Sequence, residues 1–520
     1  MMEAEALRTI KTLYEEAAHN SLDHRVYYQL GKYYEKEGNK NRAYLCYGHS
    51  YFLCDDKEEQ LFLEKRLTDW KSSSENPVPS VSLIIPALTS LEQMKAVIAA
   101  CLLRKEDSSR VIVLDWEESK EVTDWILEQK DLTVVSVKGE NLHNAYEKAA
   151  EKADKNDDLL LLDRGAALLS HALFHLRMSL YKSNDIGAVN AVTNGPAQGL
   201  TEFETPIKRA DGYAVEHSLP GDERMDPVLL PSCKTLLVKR EFWEETGGLD
   251  GSFLTLETAQ KDYCFQLLQL RKLTYLCHHG YVYTLIQPNN SSFQWFDSEY
   301  FHKKWDVRLN YSLFARPEIL RLIDEPAEAS LRILDVGCAC GASLLSMKKK
   351  FPHAKLYGIE LDPGSWNIAS KIFPVTQGNV EGDLDYPEKF FDYIIFGDVL
   401  EHLHQPEEVL INMKRYLKSG GRIIASIPNI MHISVLADLL NGHFTYQESG
   451  ILDRTHLRFF TKAEIVKMFS RAGYEIKDIG NTRAYMTKDQ ENLVKTLCDI
   501  SKSPANEFEA YQYLVKAEKL

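Results

Sequence analysis

The sequence of 520 residues lacks three features that would each assign it to a particular class of protein. It has no uninterrupted apolar run near the ~18 residues that a transmembrane helix needs. Its N-terminus, Met-Met-Glu-Ala-Glu-Ala-Leu-Arg, lacks the apolar core of a signal peptide. Its nine cysteines include no Cys-x-x-Cys pair, which favours a reducing cytosol over a disulfide framework. These absences predict a cytoplasmic protein without a membrane span.

Positive charge is also scarce. The 61 lysines and arginines are outnumbered by 76 acidic residues, which gives a net charge of −15. A broad nucleic-acid surface is therefore not expected. The hydrophobic fraction of 44% and the charged fraction of 26% are ordinary for a globular protein. A chain of this length predicts roughly three or four domains.

Residues 1–72 are predicted to be helical, because their apolar positions recur at helical spacing. Large and small side chains alternate in one segment, at Tyr27, Leu30, Gly31, Tyr34, Ala43, Tyr47 and Ser50. This spacing resembles a single tetratricopeptide repeat, in which two antiparallel helices interlock. One repeat cannot bury its own apolar face. The segment is therefore either a helical cap on the adjoining domain or a docking surface for a protein partner.

Residues 80–290 alternate predicted strands with helices. The predicted strands are Val81–Ala87, Val111–Asp115, Thr133–Val137 and Leu159–Asp163. Their order, together with the later stretch Lys234–Asp250, resembles the family 2 glycosyltransferases of the GT-A fold. The resemblance implies that Asp115 contacts the base of a nucleotide sugar and that Asp163 lies near its diphosphate.

The second carboxylate of the family's Asp-x-Asp metal motif is missing, because the sequence reads Asp163-Arg164-Gly165. Glycine has no side chain to offer a divalent cation. Three interpretations are open. Arg164 offsets the diphosphate charge without a metal, Glu257 or Asp262 acts as the base in a shifted loop, or the domain has lost transfer and only binds a glycan or nucleotide sugar.

After a connector at 291–328, residues 329–520 begin with a predicted buried strand, Ile333–Val336. Gly337 and Gly341 follow as a tight bend that brings backbone N–H groups close to a ligand. Glu360 ends a later predicted strand, where a carboxylate suits the two hydroxyls of a ribose. Asp335 would repel the pyrophosphate of a nicotinamide cofactor. The pattern Asp-x-Gly-x-Ala-x-Gly resembles class I S-adenosylmethionine (SAM)-dependent methyltransferases.

That resemblance implies a set of cofactor residues. Asp335 lies near the cationic methionine end, and Gly337, Gly341 and Glu360 hold the adenosine side. Asp362 is either a helix cap or a contact to adenosine. The further predicted contacts are Asn379, Val380 and Asp398. Asn379 stands where the family usually has an aspartate, so its contact to adenine lacks charge assistance.

The segment Gly450–Thr461 resembles a branch of methyltransferases found beside sugar-transfer genes or fused to glycosyltransferases. Its polar side chains predict substrate contact by Arg454 and Arg458, with a salt-bridged lid as the alternative. Methyl transfer to an alcohol needs a base, for which His402 and His456 are the candidates. Packing at a helix start is the alternative for His402. No metal ligand is predicted in this part of the chain.

The prediction is thus an α/β multidomain protein with N-terminal helical hairpins, a GT-A-like domain and a Rossmann-like methyltransferase domain that ends in an antiparallel strand pair. Its predicted function is SAM-dependent methylation of a glycan or sugar hydroxyl, on a glycan or glycosylated protein. Three alternatives remain. One is a bifunctional enzyme that also uses a nucleotide sugar, with or without a divalent metal. The second is an assembly factor that docks a protein partner through its helical N-terminus. The third is a methylase of a small molecule or a protein side chain.

Overall fold

The computed structural model describes residues 9–72, 78–105, 109–193, 207–218, 225–231, 234–285, 293–309 and 312–520. The chain divides into two compact units, Met1–Lys304 and Trp305–Leu520. No helix in these ranges has the length and apolar character needed to cross a membrane.

The first unit begins with four helices, α1 (Ile10–His19), α2 (His24–Lys36), α3 (Lys40–Leu53) and α4 (Lys57–Ser72). Asn39 caps α3 by accepting a hydrogen bond from the backbone of Arg42. Gly31 on α2 faces Tyr47 on α3, and a Cβ at Gly31 would lie 2.5 Å from the Tyr47 ring. The small residue therefore permits the close packing of the two helices.

An α/β region follows in the same unit. Its elements are β1 (Val81–Pro86), α5 (Leu91–Arg104), β2 (Val111–Asp115), α6 (Lys120–Leu127), β3 (Leu132–Ser136), α7 (Leu142–Lys152), β4 (Asp158–Leu162), β5 (Ala166–Leu168), α8 (Ala172–Leu180), β6 (Ile186–Thr193), α9 (Ile207–His217), β7 (Met225–Val228), β8 (Thr235–Val238), α10 (Arg240–Thr246), α11 (Leu256–Gln269), β9 (Leu273–Thr284) and α12 (Phe293–Trp305). The four strands predicted from the sequence are confirmed. The sheet order is β3-β2-β1-β4-β8-β6-β9-β5, with β7 paired to β9.

β1 pairs in parallel with β2 and β4, whereas β8 is antiparallel to β4. All residues of β1, β2 and β4 are buried, as expected for parallel strands covered on both faces. The apolar runs of these strands therefore form the core of the region.

The second unit contains α13 (Pro317–Leu320), β10 (Arg332–Val336), α14 (Ala342–Lys350), β11 (Lys355–Glu360), α15 (Pro363–Ala369), β12 (Val375–Gln377), β13 (Phe391–Gly397), a 3-10 turn (Leu400–His402), α16 (Pro406–Tyr416), β14 (Leu417–Pro428), α17 (Ile433–Leu440), α18 (Lys462–Arg471), β15 (Tyr474–Arg483), α19 (Lys488–Ile500), α20 (Ala505–Glu509) and β16 (Ala510–Lys519). Its sheet order is β12-β11-β10-β13-β14-β16-β15. Strands β10 to β14 pair in parallel, and β16 is antiparallel to both of its neighbours.

The strand order changes direction between β10 and β13, since β11 and β12 lie on one side of β10 and β13 and β14 on the other. Ligands of open α/β sheets bind in the crevice outside the carboxyl ends of the strands at such a switch point. A ligand site is therefore expected at the carboxyl ends of β10, β11 and β13.

The antiparallel pair predicted at the end of the chain is also confirmed, as β15 and β16. The two strands are not joined by a tight turn, because α19 and α20 lie between them in the sequence. β16 returns to pair with both β14 and β15, so β15 lies at the edge of the sheet.

Candidate functional site

The bend after β10 adopts the conformation expected from its glycines. Gly337 and Gly341 have positive φ angles of 70° and 89°. A Cβ at Gly337 would lie 2.7 Å from Cγ2 of Val399. Ala339 also has a positive φ, 47°, which is uncommon for a residue with a side chain. The bend is therefore held in a tight conformation that turns directly into α14.

Glu360 holds this bend against the end of β11. The backbone N–H of Ala339 donates to one Glu360 oxygen (2.7 Å), and the N–H of Asp362 donates to the other (2.8 Å). Burial raises the pKa of Glu360. Each carboxylate oxygen has two lone pairs, so both can still accept hydrogen bonds from a ligand.

Asp335 lies at the same edge of the sheet, one residue before the end of β10. Only 5% of it is exposed. Burial raises its pKa to about 7, the charge of Glu360 acts in the same direction, and Arg316 opposes the shift. A cation bound in the crevice would stabilise the ionised form of Asp335.

The structure assigns local roles to two other predicted cofactor residues. Asp362 caps α15 by accepting a hydrogen bond from the N–H of Ser365 (2.8 Å), which confirms the cap. Asn379 is exposed and accepts from the N–H of Glu381 (2.9 Å), and Val380 beside it is buried. Contacts of these residues with adenosine remain a prediction.

Asp398 follows β13 with a positive φ of 55°. Its carboxylate accepts hydrogen bonds from the hydroxyl of Ser426 (2.6 Å) and the side-chain amide of Gln512 (2.8 Å). It also forms an ion pair with Arg316. Sequence reasoning missed Arg316, which lies in the predicted connector and has no local pattern that reveals its partner. A direct contact of Asp398 with the cofactor remains a prediction.

The two candidate bases, His402 and His456, are neighbours, with ring centroids 4.7 Å apart. Nδ1 of His402 faces the carbonyl oxygen of Thr455 (3.3 Å), and Nδ1 of His456 faces that of Ile451 (2.9 Å). Burial and the neighbouring His456 lower the pKa of His402. A neutral imidazole can accept a proton, so the pair suits the predicted role.

Glu401 lies beside these histidines, and sequence reasoning did not assign it a role. It is 1% exposed, and burial, reinforced by the charge of Asp398, raises its pKa well above the ordinary value. In the sequence, the only indication of a role for Glu401 was its position directly before the candidate base His402.

The predicted substrate residues of this unit lie on the surface. Arg454 forms an ion pair with Glu448 (2.5 Å), with both side chains more than half exposed. Arg458 donates to the backbone carbonyl of His404 (2.6 Å). The Arg454–Glu448 ion pair is the kind of contact that a salt-bridged lid requires. Contact of Arg454 and Arg458 with substrate remains a prediction.

In the first unit, the predicted sugar-nucleotide residues all have protein partners. Asp115 accepts hydrogen bonds from the N–H of Glu117 (2.8 Å) and the hydroxyl of Thr123 (2.7 Å). The carboxylate of Asp163 forms an ion pair with Lys234. A second pair joins Arg164 to Glu118 through two hydrogen bonds of 2.8 and 2.9 Å.

The two alternative bases of that unit are similarly engaged. Glu257 pairs with Lys261 (2.6 Å). Asp262 is 0% exposed and pairs with Lys304 (2.8 Å). A carboxylate without solvent exposure cannot reach an acceptor in this conformation.

Comparison with known proteins identifies the second unit. A methyltransferase-domain family model matches residues 308–479. A ubiquinone biosynthesis O-methyltransferase of Thiobacillus denitrificans is 26% identical over 202 residues, which cover 37% of this chain and 86% of the relative. The Nitrosomonas europaea protein of the same description is 25% identical over 230 residues, or 42% of this chain and 88% of the relative.

A solved SAM-dependent methyltransferase from Archaeoglobus fulgidus is 16% identical, with a TM-score of 0.31, and covers 42% of this chain and 99% of its own. The family match and the curated relatives establish the enzyme class. The chain is a SAM-dependent methyltransferase.

Proposed function

We propose that this enzyme transfers the methyl group of SAM to a hydroxyl group of a glycan, in the crevice at the ends of β10, β11 and β13. The observation that carries the proposal is the buried acid pair at the glycine bend, Asp335 and Glu360. Within the described residues, neither acid forms an ion pair; Arg316, whose charge acts on Asp335, pairs with Asp398. The acid pair therefore suits a bound cation.

The proposed cofactor contacts follow from this charge. Glu360 accepts hydrogen bonds from the ribose hydroxyls while it keeps its two backbone donors. Asp335 attracts the sulfonium end of SAM, whose positive charge favours an ionised carboxylate. The tight bend at Gly337 lets the backbone approach the ligand closely.

Methyl transfer is an in-line displacement at carbon. The acceptor oxygen forms a bond to the methyl group as the methyl–sulfur bond breaks, and the sulfur keeps the bonding electron pair in S-adenosylhomocysteine. The hydroxyl proton must leave, and the pair His402–His456 lies in the loops that follow β13 and β14. Alignment of the two reactants and exclusion of water provide much of the rate enhancement.

Two features support a sugar hydroxyl as the acceptor. The strand order and the Asp115 and Asp163 positions of the first unit are those on which the glycosyltransferase resemblance rests. The 450–461 segment resembles methyltransferases associated with sugar transfer. The acceptor class rests on the association of domains, which is an analogy.

Incubation of the full chain with SAM that carries a tritiated methyl group, and with separate glycan, quinone-precursor and protein acceptor pools, would test this acceptor class. The proposal predicts label in the glycan pool that glycosidase treatment releases as a methylated sugar. Label confined to the quinone precursors, as the names of the curated relatives suggest for those proteins, would contradict a glycan acceptor.

We also propose that the first unit has a GT-A-like fold that has lost sugar transfer. The ion pairs Asp163–Lys234 and Arg164–Glu118 occupy the groups that would handle a diphosphate. The expected result is no release of nucleoside diphosphate from a panel of nucleotide sugars, with or without manganese. Manganese-dependent turnover abolished by Asp163→Asn would show instead that transfer is retained.

A further inference from the structure

We propose that Glu401, His402 and His456 bind a divalent transition-metal ion, and that this ion takes the place of a general base for the acceptor hydroxyl. The binding site stands on its own geometry, whereas its role in catalysis rests on the proposed methyl transfer. Each residue offers one ligand atom, and the three atoms lie within 4.8 Å of one another.

The carboxylate of Glu401 is the strongest indication. It is 1% exposed, and neither of its oxygens accepts a hydrogen bond from another residue in the described part of the chain. A buried carboxylate without a partner is costly. A bound cation would compensate that cost, and the histidines beside Glu401 supply neutral ligands for it.

The hydrogen bonds of both histidine rings are compatible with metal binding through Nε2. Nδ1 of His456 faces the carbonyl oxygen of Ile451, which can only accept. Nδ1 of His402 faces both the carbonyl oxygen (3.3 Å) and the hydroxyl (3.2 Å) of Thr455, and that hydroxyl donates its hydrogen to Asp453 (2.6 Å). Both Nδ1 atoms are therefore assigned as the donors. The lone pair of each ring is then on Nε2. Metal-bound histidines in proteins typically donate their other N–H to a carbonyl or carboxylate in this way.

The loops that carry these ligands are tied together by the backbone. The carbonyl oxygen of Glu401 accepts from the N–H groups of Leu457 (2.8 Å) and Arg458 (3.0 Å). Asp453 accepts from the backbone N–H and the hydroxyl of Thr455, the residue that faces His402. The site is thus built from two segments held in fixed register, as preorganised ligand sets are.

The ligand chemistry selects the class of ion. One carboxylate and two imidazoles suit zinc, manganese, iron or cobalt, whereas calcium and magnesium prefer all-oxygen sites. Three protein ligands leave positions open for the acceptor. A hydroxyl bound to the ion loses its proton more readily, and that proton passes to solvent as the oxygen attacks the methyl carbon.

The experiment is equilibrium dialysis of the full chain with Co²⁺, followed by metal analysis and visible absorption spectroscopy. The expected result is one Co²⁺ per chain with ligand-field bands in the visible range. Changes to residues that only orient a ligand cost 10–100-fold in metal affinity. Loss of a ligand in Glu401→Gln or His456→Asn should therefore lower Co²⁺ affinity by about 100-fold or more. The exposed His353→Ala should bind Co²⁺ as the wild type does.

Binding of S-adenosylhomocysteine, measured on the same samples, separates this proposal from the proposed function and controls for folding. Both ligand variants should retain it. No Co²⁺ bound in the presence of excess Co²⁺, or equal binding by wild type and both variants, would overturn the metal site whatever the cofactor result. Methyl transfer that survives complete chelation would overturn its catalytic role and favour His402 or His456 as the base.

Discussion

Glu360→Ala is expected to weaken SAM binding by about 100-fold or more. Hydrogen bonds to a charged group contribute about 1.5–3 kcal/mol each, and two ribose hydroxyls would lose such a partner. Because about 1.4 kcal/mol corresponds to a tenfold change in affinity, the loss of both gives at least this effect. The variant also releases the N–H groups of Ala339 and Asp362, which Glu360 binds, so the bend should become less ordered.

Calorimetric titration with S-adenosylhomocysteine measures this effect without turnover. Glu360→Gln keeps one acceptor oxygen and should give an intermediate affinity. Glu388→Ala, an exposed acid in the same unit, is the matched control and should behave as the wild type. If Glu360→Ala bound as tightly as Glu388→Ala, the ribose would have to lie elsewhere.

SAM affinity is expected to rise with pH up to about pH 7, by at most about tenfold per pH unit. Burial raises the pKa of Asp335 to about 7 in the free protein. A bound sulfonium favours the ionised form and lowers that pKa, so binding releases a proton and is weaker in acid. Asp335→Asn should remove this pH dependence and reduce affinity at pH 8.

S-adenosylhomocysteine has a neutral sulfur and is the control ligand. Its affinity should depend less on pH, and Asp335→Asn should reduce the preference for SAM over it. Titration in two buffers of different ionisation enthalpy counts the released proton. A preference for SAM that is the same in wild type and Asp335→Asn at pH 8 would mean that Asp335 does not face the sulfonium.

The raised pKa of Asp335 also affects stability, which should fall with rising pH although SAM affinity rises. The folded protein retains the Asp335 proton up to about pH 7, whereas an unfolded chain releases it near the ordinary value of 3.8. The folded state therefore binds more protons between these values, and the free energy of unfolding falls as pH rises through this window, by at most about 1.4 kcal/mol per pH unit. Cofactor binding should offset this loss.

The cofactor bend could be predicted from the sequence because its determinants are local. Gly337 and Gly341 are required by positive φ angles in a short segment. Glu360 ends β11, and Asp335 lies one residue before the end of β10, each in a strand with a clear apolar pattern. Local residue chemistry therefore determined both the conformation and the position of these groups. The helix cap at Asp362 followed from the same kind of reasoning.

The side-chain partners in both units could not be predicted, because they depend on tertiary contacts that no local sequence pattern encodes. The Arg316–Asp398 ion pair joins residues far apart in the sequence. Lys234, just before β8, reaches Asp163, just after β4, and this ion pair occupies the carboxylate that was predicted to lie near a diphosphate. The cluster of Glu401, His402 and His456 forms only because the segment 450–461 packs against the 3-10 turn.

Hydrogen exchange of the full chain with and without S-adenosylhomocysteine tests the location of the cofactor most directly. The account predicts slower exchange in peptides that cover 335–341 and 360–366, because these backbone groups lie at the proposed adenosine site. Protection in neither segment under saturating ligand, or protection confined to 109–193, would contradict it.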